Sequence, residues 1–173
     1  MARSDSFFIR AKLTALAGGS GGYDTTNIDL GSFVDALGKT VLRIHNVSVQ
    51  YVYGAHLTPA LSAQSSDGIT QWQITTQNQT GMVTADNRTL ISSGALVAAN
   101  NGMVANRVTS LSQDIDVSPQ KWTNGFLIAV ESIQLAGQSS STFRDDCDLS
   151  VVLECTVETM TAAASMALAL SQQ

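Results

Sequence analysis

The chain has 173 residues, of which 44% are apolar and only 13% are Asp, Glu, Lys or Arg. This length and apolar content fit one domain with its own core and argue against a disordered chain, which combines low hydrophobicity with high net charge. A net charge of −5 with nine scattered Lys and Arg residues argues against strong direct binding of nucleic acid. Soluble domains usually carry roughly 25% charged residues, so the shortage of charge here indicates a surface that is easily buried against other proteins.

The first half of the chain has the two-residue periodicity of strands. Phe7, Ile9 and Leu13 share one face of the first segment, and we expect that face to be buried. A long strand is predicted over Val41–Tyr53. Its apolar residues change from even to odd positions near His45–Asn46, which predicts a β-bulge at that point.

The middle of the chain contains shorter apolar runs separated by turn residues. Leu90–Asn101 is not strand-like after the short strand predicted at Thr89–Ser92, and it is predicted to contain a loop or a short helix. Phe126–Leu135 is apolar on both sides and is predicted to be one strand between two covered surfaces, followed by a polar loop over Ala136–Ser141. The other predicted strands are Asn27–Leu30, Thr70–Thr75, Met82–Thr84, Thr89–Ser92, Val104–Val108 and Ser112–Val117.

The last third has the clearest strand and then a different composition. From Cys147 to Val157 the odd-numbered residues are all apolar, and the even-numbered residues are polar apart from Val152. Thr161–Gln173 is uncharged and rich in Ala, Met and Leu, which favour helix. We therefore predict an all-β domain of about eight antiparallel strands spanning residues 1–173, with residues 161–173 as a short C-terminal helix or arm.

The only two cysteines, Cys147 and Cys155, lie on the same predicted strand. Eight residues of strand separate their Cα atoms by about 26 Å, whereas a disulfide requires roughly 4.4–6.8 Å. The two residues are therefore predicted to be buried free thiols.

No motif predicts an active site, a cofactor or a small-molecule substrate. His45 and His56 have no Cys or acidic partner at metal-ligand spacing, and no nucleophile elbow or phosphate-binding loop is present. The carboxylates of Asp145, Asp146 and Asp148, or of Asp114 and Asp116, could contribute to a calcium site, with solvated surface charge as the commoner alternative. The chain is not expected to be an enzyme.

Two segments carry a resemblance to a known family. The run NIDLGSFVDALGKTVLRIHNVSVQY and the final strand DDCDLSVVLECTVETMT are similar to segments of the coat proteins of small icosahedral viruses that consist of a single jelly roll. The resemblance implies an eight-stranded, two-sheet jelly roll that tiles a closed shell, assembled in the host cytoplasm and located in the virion. It carries no catalytic residues.

One departure from that family concerns the genome. Many such coats have an Arg-rich N-terminal arm, whereas only Arg3, Arg10 and Lys12 are basic here. A second coat protein or a lipid layer would then lie between the shell and the genome, or the assembly contains no genome.

The main partner expected for the chain is a further copy of itself. The alternatives are a carbohydrate-binding β-sandwich, with Trp72 or Trp122 stacked on sugars, or a subunit of an extracellular tubule or fibre. Apolar residues of the N-terminal segment and the tail are the predicted interface: Phe7, Phe8, Met160, Met166, Leu168 and Leu170.

Overall fold

The computed structural model describes residues 5–16, 22–35, 39–53, 67–100, 108–140 and 146–172. These residues form nine strands and one helix, in agreement with the predicted class. In chain order the elements are β1 (Phe7–Leu16), β2 (Tyr23–Asp29), β3 (Thr40–Tyr53), β4 (Gly68–Thr75), β5 (Leu90–Ala99), β6 (Ser110–Val117), β7 (Phe126–Ile128), β8 (Ser132–Ser139), β9 (Cys147–Thr159) and α1 (Ala162–Ser171).

The strands form two sheets in which every pairing is antiparallel. The first sheet has the order β1-β9-β3-β7 and the second has the order β2-β8-β4-β5-β6. Along the chain, strands alternate between the two sheets, except that β4, β5 and β6 all belong to the second. This is the strand order of an eight-stranded jelly roll with β6 added as an edge strand. The predicted jelly-roll fold is confirmed.

Strand β9 is the central support of the first sheet, because it pairs with β1 on one side and with β3 on the other. Its odd-numbered residues from Cys147 to Cys155 are all buried, as the alternation in sequence predicts. Burial of a large apolar side chain contributes roughly 1.5–3 kcal/mol. Together with Trp72 and Ile44, these residues form the core between the sheets.

The predicted bulge in β3 is present. Ile44 pairs with Cys155 and Asn46 pairs with Glu154, which leaves His45 as the extra residue. The His45 ring Nε2 lies 2.9 Å from the hydroxyl of Thr156. His45 therefore has a structural hydrogen bond at the bulge.

Strand β7 is so short that it covers only part of the edge of β3. It pairs with β3 over Leu42–Ile44, and a 3₁₀ turn at Pro119–Lys121 precedes it. Beyond the bulge, the side chain of Gln120 takes the place of a strand. Its Oε1 accepts a hydrogen bond from the N–H of Val47 at 3.1 Å, and its Nε2 donates to the carbonyl of Val47 at 3.3 Å.

An ion pair is buried on the face of β3 that points away from the core. The guanidinium of Arg43 donates two hydrogen bonds to the carboxylate of Glu158, at 2.7 and 2.9 Å, and a third to the carbonyl of Asn124. Paired hydrogen bonds of this kind compensate for part of the cost of removing both charges from water. The pair connects β3, β9 and the turn before β7.

Several sequence predictions in the middle of the chain are wrong. Leu90–Ala99 is a strand, because β4 and β6 pair with it on both sides. Phe126–Leu135 is not one strand but β7 and the start of β8, since the chain crosses between the sheets at residues 129–131. The predicted loop at Ala136–Ser141 is part of β8 as far as Ser139, which pairs with β4.

Two further strands predicted in this part of the chain are not found as strands in the described residues. Met82–Thr84 is not a strand, because the side chain of Gln73 holds that loop by accepting from Val83 N–H and donating to the carbonyl of Gly81. Most of the strand predicted at Val104–Val108 lies outside the described residues.

Gly94 is required by the packing of Trp72, the residue opposite it on β4. Trp72 is fully buried. A Cβ on Gly94 would lie 2.9 Å from Trp72 Nε1 and 2.4 Å from the carbonyl oxygen of Asp114. Both distances are below contact limits, and the second involves backbone that cannot turn aside.

We therefore predict that Gly94→Ala lowers the free energy of unfolding by about 1–3 kcal/mol through overpacking. Urea denaturation followed by circular dichroism measures this change. Gly81→Ala is the matched control, because nothing lies within 4 Å of a Cβ at that position. Equal stabilities for the two variants would contradict the packing described for Trp72.

Both cysteines are free and buried, as predicted. Loss of hydration raises the pKa of Cys147 to about 11 and that of Cys155 to about 12, from an ordinary value of 9.0. The neutral thiol is therefore the stable form in the folded chain. A thiol that is neutral at pH 8 reacts slowly with alkylating reagents.

This burial predicts a loss of stability at alkaline pH. The unfolded chain ionises its thiols near pH 9, whereas the folded chain keeps them neutral until pH 11–12. The contribution of the two thiols to the free energy of unfolding is therefore complete below pH 9 and is lost between pH 9 and pH 12. Urea midpoints at pH 8 and pH 10.5 should differ more for the natural chain than for a Cys147→Ala/Cys155→Ala variant. An equal difference would contradict a thiol origin.

Candidate functional site

The C-terminal helix begins where β9 ends and is attached there to the sandwich. The hydroxyl of Thr161 caps the helix by accepting a hydrogen bond from Ala164 N–H at 3.3 Å. Just before it, Met160 N–H donates to the carbonyl of Lys39 at 2.7 Å. The first turn of α1 is therefore fixed relative to the end of β9.

The other end of α1 is held by Gln172, which is almost completely buried. Its backbone carbonyl accepts a hydrogen bond from the hydroxyl of Thr76, which follows β4 in the second sheet, at 2.7 Å. Its side-chain Oε1 accepts from Ala129 N–H at 3.0 Å, and its Nε2 donates to the carbonyl of Leu127 at 2.5 Å. These contacts tie the end of the helix to both sheets.

A helix fixed in this way presents apolar side chains to the outside. Met166 is 50% exposed and Leu170 is 63% exposed, whereas Leu168 and Met160 are half-buried. The helix contains no acidic or basic residue. We refer to Met160, Met166, Leu168 and Leu170 as the tail surface.

A groove of about 740 Å³ lies at the start of α1 and continues the tail surface. Among the described residues of its wall, Lys39 alone has a charged side chain. The wall is formed by Lys39, Thr159, Met160, Thr161, Ala162 and Ala164.

The two phenylalanines of β1 point in different directions. Phe7 is half-buried and stacks on Phe33 within the same chain, with ring centres 4.7 Å apart. Phe8 is 54% exposed, and the guanidinium of Arg10 lies 5.7 Å from the centre of its ring. Leu13 is buried, and Phe7 and Ile9 pack against the core, as expected for this strand.

Other exposed apolar residues were not predicted to belong to an interface. Ile69 and Leu111 are 38% and 44% exposed, and they lie in β4 and β6, each just before the strand predicted from the sequence. Trp122 is 42% exposed and packs against Phe126 with ring centres 5.9 Å apart. Trp72 offers no surface for a sugar, because it is fully buried.

The structure describes all but one of the carboxylates that were candidates for a calcium site. Asp148 forms an ion pair with Lys12 at 2.6 Å, Asp114 and Asp116 are exposed on β6, and Asp145 and His56 lie outside the described residues. Among the residues that the structure describes, no three His, Cys, Asp or Glu side chains are grouped as metal ligands. Within the same ranges, no helix is long and apolar enough to cross a membrane.

Comparison with known proteins finds similarity to solved structures but not to any sequence. No protein-family model and no curated protein sequence matches the chain. Among solved structures, it is similar to one of Desmodium yellow mottle tymovirus, with 9% identity, a TM-score of 0.34 and coverage of 91% of this chain and 89% of that chain.

A structure of turnip yellow mosaic virus has 8% identity and a TM-score of 0.33, with coverage of 91% and 82%. VP1 of the Trichodysplasia spinulosa-associated polyomavirus, in complex with sialylated precision glycooligomers, has 10% identity and a TM-score of 0.38, with coverage of 88% and 95%. All three are structures of viruses or of a viral protein. The jelly-roll assignment rests on the strand order of the chain itself.

Gln172 gives a direct test of how α1 is held. Gln172→Ala leaves the N–H of Ala129 and the carbonyl of Leu127 without their partners, at a cost of about 1–3 kcal/mol. We expect faster amide hydrogen exchange throughout α1 with unchanged exchange in β9. The matched control is Gln71→Ala, an exposed position on β4, and unchanged exchange in α1 of the Gln172 variant would contradict the attachment.

Proposed function

We propose that the chain is a structural subunit of a viral coat and that copies of it assemble into an icosahedral shell. The observation that carries the proposal is the uncharged helix α1, held on the sandwich by Gln172 with Met166 and Leu170 at least half exposed. An isolated soluble protein gains nothing from displaying such residues. A subunit with neighbours buries them.

The energetics favour association through this surface. Burying an exposed Met or Leu side chain contributes roughly 1.5–3 kcal/mol, and no charge on α1 must be removed from water. A stable interface usually covers about 800 Å² on each partner, which exceeds what a helix of ten residues offers. The groove beside Lys39 and the exposed ring of Phe8 are the further surface that we assign to contacts between subunits.

The charge of the subunit bears on what lies inside the shell. A net charge of −5 repels the phosphates of a nucleic acid. We infer that a second coat protein or a lipid layer lies between this subunit and a packaged genome. In this proposal the protein is located in the virion, is assembled in the host cytoplasm, and has no catalytic role.

The tail surface can be tested with a charge-insertion variant. Met166→Glu/Leu170→Glu places two carboxylates where a neighbouring subunit would pack, so we expect a folded monomer that needs at least a hundredfold higher concentration to assemble. The control Gln71→Glu/Ser112→Glu adds the same charge at exposed positions of β4 and β6, away from α1, because Ala163 and Ala167 share one helix face with Met166 and Leu170. Sedimentation velocity measures the distribution of species.

Two results of this experiment would contradict the proposed role of the tail surface. Normal assembly of the Met166/Leu170 variant would show that α1 is not a subunit contact. An equal loss of assembly in both variants would show that added charge, rather than the tail surface, is responsible.

A further inference from the structure

Within the part of the chain that the structure describes, the half of β3 beyond the bulge has no neighbouring strand on its outer edge. Backbone N–H and C=O groups alternate in direction along a strand, and the bonds of Val47 to Gln120 show that Val47 points away from β9. Val49 and Tyr51 therefore point the same way. The side chain of Gln113 on β6 confirms this direction, since its Nε2 donates to the carbonyl of Val49 at 3.1 Å.

The remaining groups on this edge are unpaired. Among the residues that the structure describes, none bonds to Val49 N–H or to the outward N–H and carbonyl of Tyr51. Unpaired backbone groups at a strand edge form a ready template for another strand.

A cleft of about 330 Å³ lies between this edge and the second sheet. Leu96 of β5 is buried in its wall, and Leu111 of β6 is 44% exposed. None of the described residues in the wall is charged at neutral pH. The cleft is formed by Val49, Gln50, Tyr51, Leu96, Leu111 and Gln113.

We propose that this β3 edge cleft accepts an extended segment of a second copy of the chain by strand addition. The incoming backbone pairs with Val49 and Tyr51, and one of its apolar side chains enters the cleft against Leu96 and Leu111. In this mode of recognition, main-chain hydrogen bonds supply affinity and the side-chain pocket supplies selectivity. The inference rests on the proposed function, since it requires neighbouring copies.

The absence of charge in the cleft favours a second copy as the occupant. An average protein segment carries a charge about every fourth residue, and such a charge would lose its hydration in this cleft without compensation. Only 13% of this chain is charged, so another copy supplies uncharged segments at high local concentration.

The free edge of β6 is a poor candidate for the added strand. Lys121 already covers it by donating to the carbonyls of Ile115 and Asp116, at 2.5 and 3.2 Å. Lys121 belongs to the 3₁₀ turn that follows β6, and its charged ammonium group opposes pairing of another strand at this end of the edge.

Amide hydrogen exchange at single-residue resolution tests the pairing directly. The amides of Gln50 and Val52 point towards β9, so we expect them to be protected in both the monomer and the assembly. The amides of Val49 and Tyr51 should exchange rapidly in the monomer and at least a hundredfold more slowly after assembly. Rapid exchange of both amides in the assembled protein would overturn the proposal.

A blocking variant provides an independent test. Leu111→Arg fills the mouth of the cleft with a bulky charged side chain, and we expect assembly to require at least a tenfold higher concentration. Ser112→Arg is the control, because Ser112 lies on the opposite face of β6 and is exposed. Equal assembly of the two variants would exclude strand addition at the cleft and would leave the proposed coat function intact. Failure of the natural chain to assemble at all would contradict both proposals.

Discussion

Unpaired backbone groups at the edge of the first sheet are the constraint on which the rest of the structure depends. Because β7 has only three residues, it leaves backbone groups unpaired at the edge, and glutamine side-chain amides bond to these groups in place of a further strand. Gln120 bonds to both backbone groups of Val47, and Gln172 bonds to Leu127 and Ala129. An amide side chain carries a donor and an acceptor side by side, like a peptide unit. The bonds of Gln172 also hold α1. The same side chain therefore pairs the backbone groups of Leu127 and Ala129 and fixes the uncharged helix on the sandwich.

Two of the surfaces that we assign to contacts between subunits differ in chemistry. The tail surface is apolar and offers packing area, whereas the β3 edge cleft offers backbone hydrogen bonds beside a small apolar pocket. Contacts between unlike surfaces are heterologous, and such contacts generate closed rings or extended lattices according to their geometry. A subunit with a low content of charge loses little hydration when both surfaces are buried.

The sequence predicts the parts of this fold that depend on periodicity. The burial of alternate residues in β9 and the bulge at His45 follow from the pattern of apolar positions alone. Only the start of strand β5 was predicted, at Thr89–Ser92, because Gly94 and the small residues around it lack the branched side chains typical of strands. The position of these residues is fixed by Trp72 and two neighbouring strands. The exposed positions on α1 were predicted as an interface from the uncharged composition of the tail. The anchoring role of Gln172 and the open edge at Tyr51 have no local signal, since both depend on how far β7 extends.

The most direct test of the central claim is electron microscopy of the purified chain at high concentration. The account predicts closed particles of uniform diameter, in which α1 of each subunit contacts a neighbouring copy. Tubes or fibres would retain self-assembly but contradict the closed shell, because the same contacts would then propagate along an open lattice. Isolated 18.2 kDa subunits at every concentration, salt and pH would contradict the coat function itself.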